Sequence, residues 1–370
     1  MNVDGAVDRD VDVDGAVGIS LPRFALATLP TPLVRADGLE RALGAGPIWV
    51  KRDDLTGFGV AGNKARALEF LLGEATTAGA DVLVAAGSPS SNFCAAAAMA
   101  ASRAGLECHL LFPGPPPVER SVNVELAGAA GARLFFDVVA TREQLDPAVL
   151  AHADLVAAQG RRPYAVPRGG ATAVGAAGYA HAARELAAQC DDAGFLPGVV
   201  VVATGSGGTQ AGLVAGQVGH GLAWRVVGAS VSRSAAEAGD QVLRLARECS
   251  SRLGLALPGA GDVDVREARG QGFGIASQQD RTSAELALRH AGLLLDPYYG
   301  AKAMTLLRHL VAEDGRTPIV LWHTGGVSAA LAAVTRTAGP AMVSGPAGPS
   351  PARPSPAGPS PAGPSRGASA

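Results

Sequence analysis

Lysine is scarce in this chain: of 31 basic residues only Lys51, Lys64 and Lys302 are lysine, and the other 28 are arginine. With abundant alanine and glycine this bias resembles a GC-rich genome, and it leaves three possible amine nucleophiles. Cysteine is sparse too. Cys94, Cys108, Cys190 and Cys249 stand far apart, without a Cys-x-x-Cys or Cys/His metal spacing, so reduced core thiols are expected. Charged residues make up 17% and the formal net charge is −2, which gives no basic field for nucleic acid. Apolar runs are short; Val199–Ala203 is among the longest, far below the roughly 20 residues of a membrane span. What remains is ample: 370 residues, 48% of them hydrophobic, suffice for a sizeable core and suggest two domains.

The two ends read differently from the middle. Residues 1–18 hold five aspartates against one arginine, and Val-Asp-Gly-Ala-Val occurs at both 3–7 and 13–17. A secretory leader needs the opposite charge and an apolar run, so a disordered acidic arm and a cytoplasmic protein are expected. At the other end Pro-Ala-Gly-Pro-Ser fills 346–350, 356–360 and 361–365. Such a tract cannot bury apolar surface, and 339–370 is expected to be a disordered tail.

Between the ends, short apolar runs alternate with helical patterns. Strands are predicted at Ile48–Arg52, Val82–Ala86, Cys108–Phe112, Arg133–Phe136, Val199–Ala203, Arg225–Ala229 and Ile319–Trp322. Helices are predicted at Lys64–Ala78, Asn92–Ala104, Asn123–Gly131, Ala176–Cys190, Gln210–Val218 and Ala235–Leu253. This alternation implies βαβ units, and hence an α/β fold whose parallel sheets are covered on both faces.

The strand Val199–Ala203 runs into Thr204-Gly205-Ser206-Gly207-Gly208-Thr209-Gln210 and then a helix. Small residues at such a turn leave backbone N–H groups free, and the helix dipole adds positive potential, so a phosphate is favoured. A dinucleotide fingerprint would put glycine where Gln210 stands, and it would end the next strand on an acidic residue. A small phosphate monoester fits better, with a ligand-free glycine turn as the alternative. Lys64 opens a helix after Gly62-Asn63, where the macrodipole opposes its ammonium form and relatively favours the neutral amine. That is how a Schiff-base lysine is activated, although by itself Lys64 could be a solvated surface residue. One activated lysine and one phosphate cradle together suggest pyridoxal 5′-phosphate (PLP).

Six segments then occur in a recognisable order: Lys51–Gly57, Gly62-Asn63-Lys64, Ser91-Asn92, Ala203–Gly212, Asp296-Pro297-Tyr298-Tyr299 and His323–Gly326. In this the chain resembles the 1-aminocyclopropane-1-carboxylate (ACC) deaminase / D-cysteine desulfhydrase family of fold-type-II PLP enzymes, over about residues 22–335. The resemblance implies a tryptophan synthase β-like fold of two three-layer α/β domains with the cofactor in the cleft. The larger domain would comprise 19–66 and 175–338, the smaller one 67–174. Lys64 would link PLP, and Gly205, Ser206, Gly207, Gly208 and Thr209 would hold its phosphate. Asn92 would face the cofactor's 3′-oxygen, and Thr324 its pyridine nitrogen. Ser91, Asn92, Phe93 and Tyr299 would meet the substrate, with Ser91 and Tyr299 also acting in catalysis. On residue type alone, Ser91 and Asn92 could instead only cap a helix, Tyr299 could be a core aromatic, and Thr324 could merely shape a turn.

The chain departs from the family pattern in places that touch the substrate. Phe93 follows Ser90-Ser91-Asn92 where a polar residue is usual, and Phe273 stands between glycines in place of a tyrosine. Gly300 follows Tyr299 where ACC deaminases have a glutamate, and Ala67 replaces a basic residue. The expectation is a lyase like D-cysteine desulfhydrase, acting on a small amino acid as a homodimer, without metal, nucleic-acid or membrane partners. The alternatives are ACC ring opening, β-replacement, or a PLP-binding homologue that lacks catalysis.

Overall fold

Val199 to Val202 carry β-branched side chains on both faces of the backbone, and the structure buries both faces. This is the signature of a central strand in a sheet covered on each side. The structure is a computed structural model that describes residues 19–336; the expected arm 1–18 and tail 339–370 lie outside the described residues. The strands are β1 (Leu33–Arg35), β2 (Ile48–Arg52), β3 (Val82–Ala86), β4 (Glu107–Leu111), β5 (Arg133–Phe135), β6 (Pro163–Val166), β7 (Val199–Thr204), β8 (Arg225–Ser230), β9 (Asp264–Glu267) and β10 (Ile319–His323). They form two sheets. One has six strands in the order β1-β2-β10-β7-β8-β9, parallel except for β1; the other has four parallel strands in the order β5-β4-β3-β6.

The helices are α1 (Asp37–Leu43), α2 (Lys64–Thr77), α3 (Asn92–Arg103), α4 (Val122–Ala129), α5 (Leu145–Ala158), α6 (Ala173–Asp192), α7 (Gly208–Gly219), α8 (Ala235–Leu253), α9 (Gln278–Ala291), α10 (Gly300–Glu313) and α11 (Val327–Arg336). Their starts follow local chemistry. The Ser234 hydroxyl accepts from Glu237 N while Glu237 reaches back to Ser234 N, a capping box that opens α8. Thr172 caps α6 at Gly175 N (3.0 Å), so α6 begins three residues before its apolar pattern suggests.

Alternation along the strands divides the core. Val200, Val202, Val320 and Trp322 pack with Leu71, Tyr179, Leu213 and Val242 from α2, α6, α7 and α8. Val199, Val201, Ile48 and Leu321 face the other way, toward Leu39, Met304 and Leu307 of α1 and α10. In the smaller sheet Leu83 and Ala85 join the first cluster with the alanines of α3, while Val82 and Val84 meet Val149 and Val156 of α5. Each sheet is therefore the middle of three layers, in agreement with the expected fold. All four cysteines are buried free thiols, and burial pushes Cys94, Cys190 and Cys249 up to about 12.

A buried polar cluster fixes the start of α2. The carboxylate of Asp53, fully buried, accepts from Arg66 Nε (3.0 Å) and Nη2 (2.9 Å), Thr31 Oγ1 (2.8 Å), Tyr179 OH (2.6 Å) and Trp322 Nε1 (2.8 Å). Arg66 also meets Glu185, which pairs with buried Lys51. The cluster joins β2, α2, α6 and β10, and it holds Arg66 two residues beyond Lys64.

Candidate active site

Parallel α/β sheets gather loops and helix N-termini beyond the carboxyl ends of their strands, where ligands bind. Here the chain leaves β3 into 87–93, β7 into 205–210 and β10 into 324–326, and all three segments line one cleft. The cleft encloses about 940 Å³ of empty space, including its open mouth. Lys64 and Asn63 enter from the start of α2, Arg168 and Gly169 follow β6, and Asp296, Tyr298 and Tyr299 precede α10. Every residue that the sequence assigned a role in the site therefore lies at this one place: Lys64; Ser91, Asn92 and Phe93; the loop 205–209; Tyr299; and Thr324.

The three lysines differ sharply in their partners. Lys51 Nζ donates to Thr31 O, Glu185 and Gln189. Lys302 Nζ donates to Arg269 O (2.9 Å) and Asp280 Oδ2 (3.3 Å). Lys64 Nζ has no hydrogen bond or ion pair among the described residues, and desolvation alone lowers its pKa to about 8. An amine so placed is neutral in a useful fraction near neutral pH.

The glycine loop lines the same cleft. Gly207 takes φ +93° as the N-cap of α7, and no side chain caps the helix, so its first N–H groups remain available to an anion. Gly205 is there because the Tyr299 ring lies against it: a Cβ would come within 2.9 Å of Tyr299 Cε1. Asn63 Nδ2 donates to Thr209 Oγ1 at 3.0 Å, tying the residue before Lys64 to the loop. Gln210, which excluded a dinucleotide site, is buried and bonds Thr204 Oγ1 and Asp264 O. A free amine and an uncapped helix start lining one cleft fit a phosphorylated aldehyde such as PLP.

The remaining residues combine structural and site positions. Ser91 caps α3, accepting from Cys94 N at 3.2 Å, and it also lines the cleft. Thr324 O accepts from Asn63 N (2.9 Å), and a Cβ on Gly62 would lie only 2.4 Å from that oxygen, so glycine permits the close approach. Tyr299 forms an aromatic wall with Phe273, centroids 5.9 Å apart and edge to face. Phe93 lines the cleft from its floor. Its side chain is 2% exposed and packs against Leu71 and Gly170, so it backs the cleft from the core.

Several residues escaped the sequence reading. Arg168 was hidden because β6 begins at a proline and lacks a continuous apolar run. It is pinned by Asp146, which accepts from its backbone N, Nε and Nη2. Asp296 was quoted in a motif without a role. It is buried, and its carboxylate accepts from the backbone N of Tyr298 (2.9 Å), Tyr299 (2.9 Å) and Gly300 (3.1 Å). An aspartate just before a proline turn and a helix is the available signal.

Burial raises Asp296 to about 6 from its ordinary 3.8, despite those three donors. Between these values the folded chain holds a proton that the unfolded chain releases. Its contribution to stability therefore falls as pH rises from about 4 to 6, by about 3 kcal/mol in all. Urea denaturation of wild type and Asp296→Asn at pH 4 and pH 7 reads this directly. The wild-type advantage should be smaller at pH 7 by that order, and a pH-independent difference would contradict the assignment.

Comparison with known proteins agrees with this geometry. D-cysteine desulfhydrases of Salmonella newport (strain SL254) and Salmonella typhi are 36% identical over 324 residues, covering 84% of this chain and 96% of theirs. The crystal structure of an ACC deaminase homologue superposes with a TM-score of 0.78 at 31% identity, covering 84% of this chain and 93% of that one. Maize serine racemase (TM-score 0.57, 15% identity) and a threonine deaminase from T.th. (0.56, 20%) share the fold. No helix among the described residues is long and apolar enough to cross a membrane, and no described group of side chains could hold a metal ion. With the family model matching residues 25–325, beside the free Lys64 and the glycine cradle, the chain belongs to the pyridoxal-phosphate dependent enzymes.

Proposed function

We propose that this enzyme catalyses α,β-elimination from a small β-substituted amino acid, D-cysteine first among them. One water is consumed; the β-substituent, ammonia and a 2-oxo acid are released. The observation that carries the reading is the unpartnered Lys64 amine lining the same cleft as the loop 205–209, in a chain 36% identical to D-cysteine desulfhydrases.

Bound PLP supplies an electron sink that acidifies the substrate's Cα–H bond. In this reading the N–H groups at the start of α7 and the hydroxyls of Ser206 and Thr209 would hold the phosphate. Asn92 and Thr324 would supply polar groups to the bound cofactor. Lys64 Nζ would take the Cα proton; positioned general bases of this kind contribute about 10²–10⁴-fold. Ser91 and Tyr299 orient the substrate, and Phe273 excludes water from one side.

The 31% identical ACC deaminase homologue supports a second reading, ACC ring opening. ACC has no Cα hydrogen, so its opening asks more of the site, and the family associates that step with a carboxylate near the pyridine nitrogen. Among the described lining residues Asp296 is the one carboxylate, and it is committed to three backbone N–H groups, while Gly300 offers none. Purified enzyme should therefore release pyruvate from D-cysteine or β-chloro-D-alanine and negligible 2-oxobutyrate from ACC. Faster 2-oxobutyrate release would reverse the order, a demand for a second nucleophile would indicate β-replacement, and no turnover would indicate a binding homologue.

The same reading includes a larger domain of 19–66 and 175–338 and a smaller one of 67–174. It is supported by the four-stranded sheet drawing all its strands from residues 82–166. It also includes a cytoplasmic homodimer, for which light scattering should give twice the chain mass.

A further inference from the structure

We propose that Asn123, on α4 and outside every motif noted above, is a positioning residue that decides which atom of the Asn92 amide is offered to the cleft. Asn123 is 5% exposed, and its amide is fully engaged. Its Nδ2 donates to Ser90 O at 2.9 Å and to Asn92 Oδ1 at 2.8 Å, and its Oδ1 accepts the Ser328 hydroxyl at 3.0 Å.

The orientation follows from donor and acceptor rules. Amide oxygen and nitrogen look alike in shape, so their assignment must come from partners. A backbone carbonyl can only accept, so the Asn123 atom facing Ser90 O must be Nδ2. The other hydrogen of that nitrogen points at Asn92, so the Asn92 atom there must be Oδ1. The Ser328 hydroxyl could donate or accept and decides nothing alone; it takes the role that remains. Asn92 Nδ2 is thereby left without a partner among the described residues, on a side chain that lines the cleft.

This inference rests on the reading of Asn92 as the residue facing the cofactor's 3′-oxygen. An oxygen that carries negative charge needs a donor, and an amide turned the other way would present a carbonyl. Asn123 also joins the start of α3 to α11, which directly follows the Thr324–Gly326 turn, so one side chain braces two walls of the cleft.

The test follows the visible absorption band of the holoenzyme against pH in wild type, Asn92→Ala, Asn123→Ala, Asn123→Asp and the Asn92→Ala/Asn123→Ala double variant. A donor to the 3′-oxygen stabilises its anion and loosens its hold on the neighbouring proton. Loss of that donor should raise the apparent pKa by about one unit. Both Asn123 variants should shift it in the same direction as Asn92→Ala, and the double variant should go no further than Asn92→Ala alone. Ser328→Ala, which leaves both Nδ2 bonds intact, should lower the melting temperature slightly without moving the pKa. Should the buried charge of Asn123→Asp prevent folding, Asn123→Ala and Asn123→Ser carry the comparison. Additive shifts, or a wild-type pKa in the Asn123 variants, overturn the inference. A wild-type pKa in Asn92→Ala removes the assignment of Asn92 itself and this inference with it, while leaving that of Lys64 standing.

Discussion

Replacing Lys64 by alanine should lower kcat for elimination by about 10⁴-fold or more and leave the cofactor unattached. The lower bound is the upper range for a lost general base; loss of the covalent anchor adds to it. Neither of the other lysines can take over. Lys51 is held by three acceptors beneath the sheet, and Lys302 is held by Arg269 O and Asp280. The variant should fold with nearly wild-type stability, because removing an unpaired, desolvated amine breaks no hydrogen bond. Absorbance of the lysine-linked cofactor, product release and a melting curve measure all three effects. Residual activity within tenfold of wild type would show that another group performs the proton transfer.

A second large effect is expected far from the substrate. Asp53→Ala should cost about 4 kcal/mol, because breaking a buried ion pair costs about 3–5 kcal/mol. Arg66 keeps Glu185 and the Thr31 hydroxyl, while Tyr179 OH and Trp322 Nε1 lose the carboxylate they share. For a chain of this size the melting temperature should fall by about 10 °C. Asp53→Asn, which keeps the shape and one acceptor oxygen, should lose less. Because Arg66 fixes the first turn of α2, cofactor binding by Lys64 should weaken alongside. A loss below about 1 kcal/mol in chemical denaturation would mean that water satisfies the cluster after substitution.

The central strands were legible because burial on both faces demands continuous apolar residues. Val199–Ala203 and Ile319–Trp322 leave no other solution, and the structure places both in the middle of the six-stranded sheet. The missed strands β1, β6 and β9 are all sheet edges. An edge strand has one hydrogen-bonded neighbour and a wet side, so Asp264–Glu267 can be polar and β6 can begin at Pro163.

The cleft was legible for a related reason. Backbone that must approach a phosphate or another turn needs glycine, as at Gly62 and Gly205, and such residues mark the carboxyl ends of the strands even in a bare sequence. Asp53, Asn123 and Asp296 were not legible. Each is a common polar residue whose role comes from burial and from partners as many as 269 positions away. Phe93 combines both signals: it lines the cleft, and its ring is also buried against the core.

The most direct measurement of the central claim is borohydride reduction of the holoenzyme followed by peptide mapping. With three lysines in the chain the outcome has few alternatives. The reduced cofactor should be found on the peptide containing Lys64 and on no other. A cofactor fixed to Lys51 or Lys302, or no fixed cofactor in a preparation that turns over substrate, would contradict it.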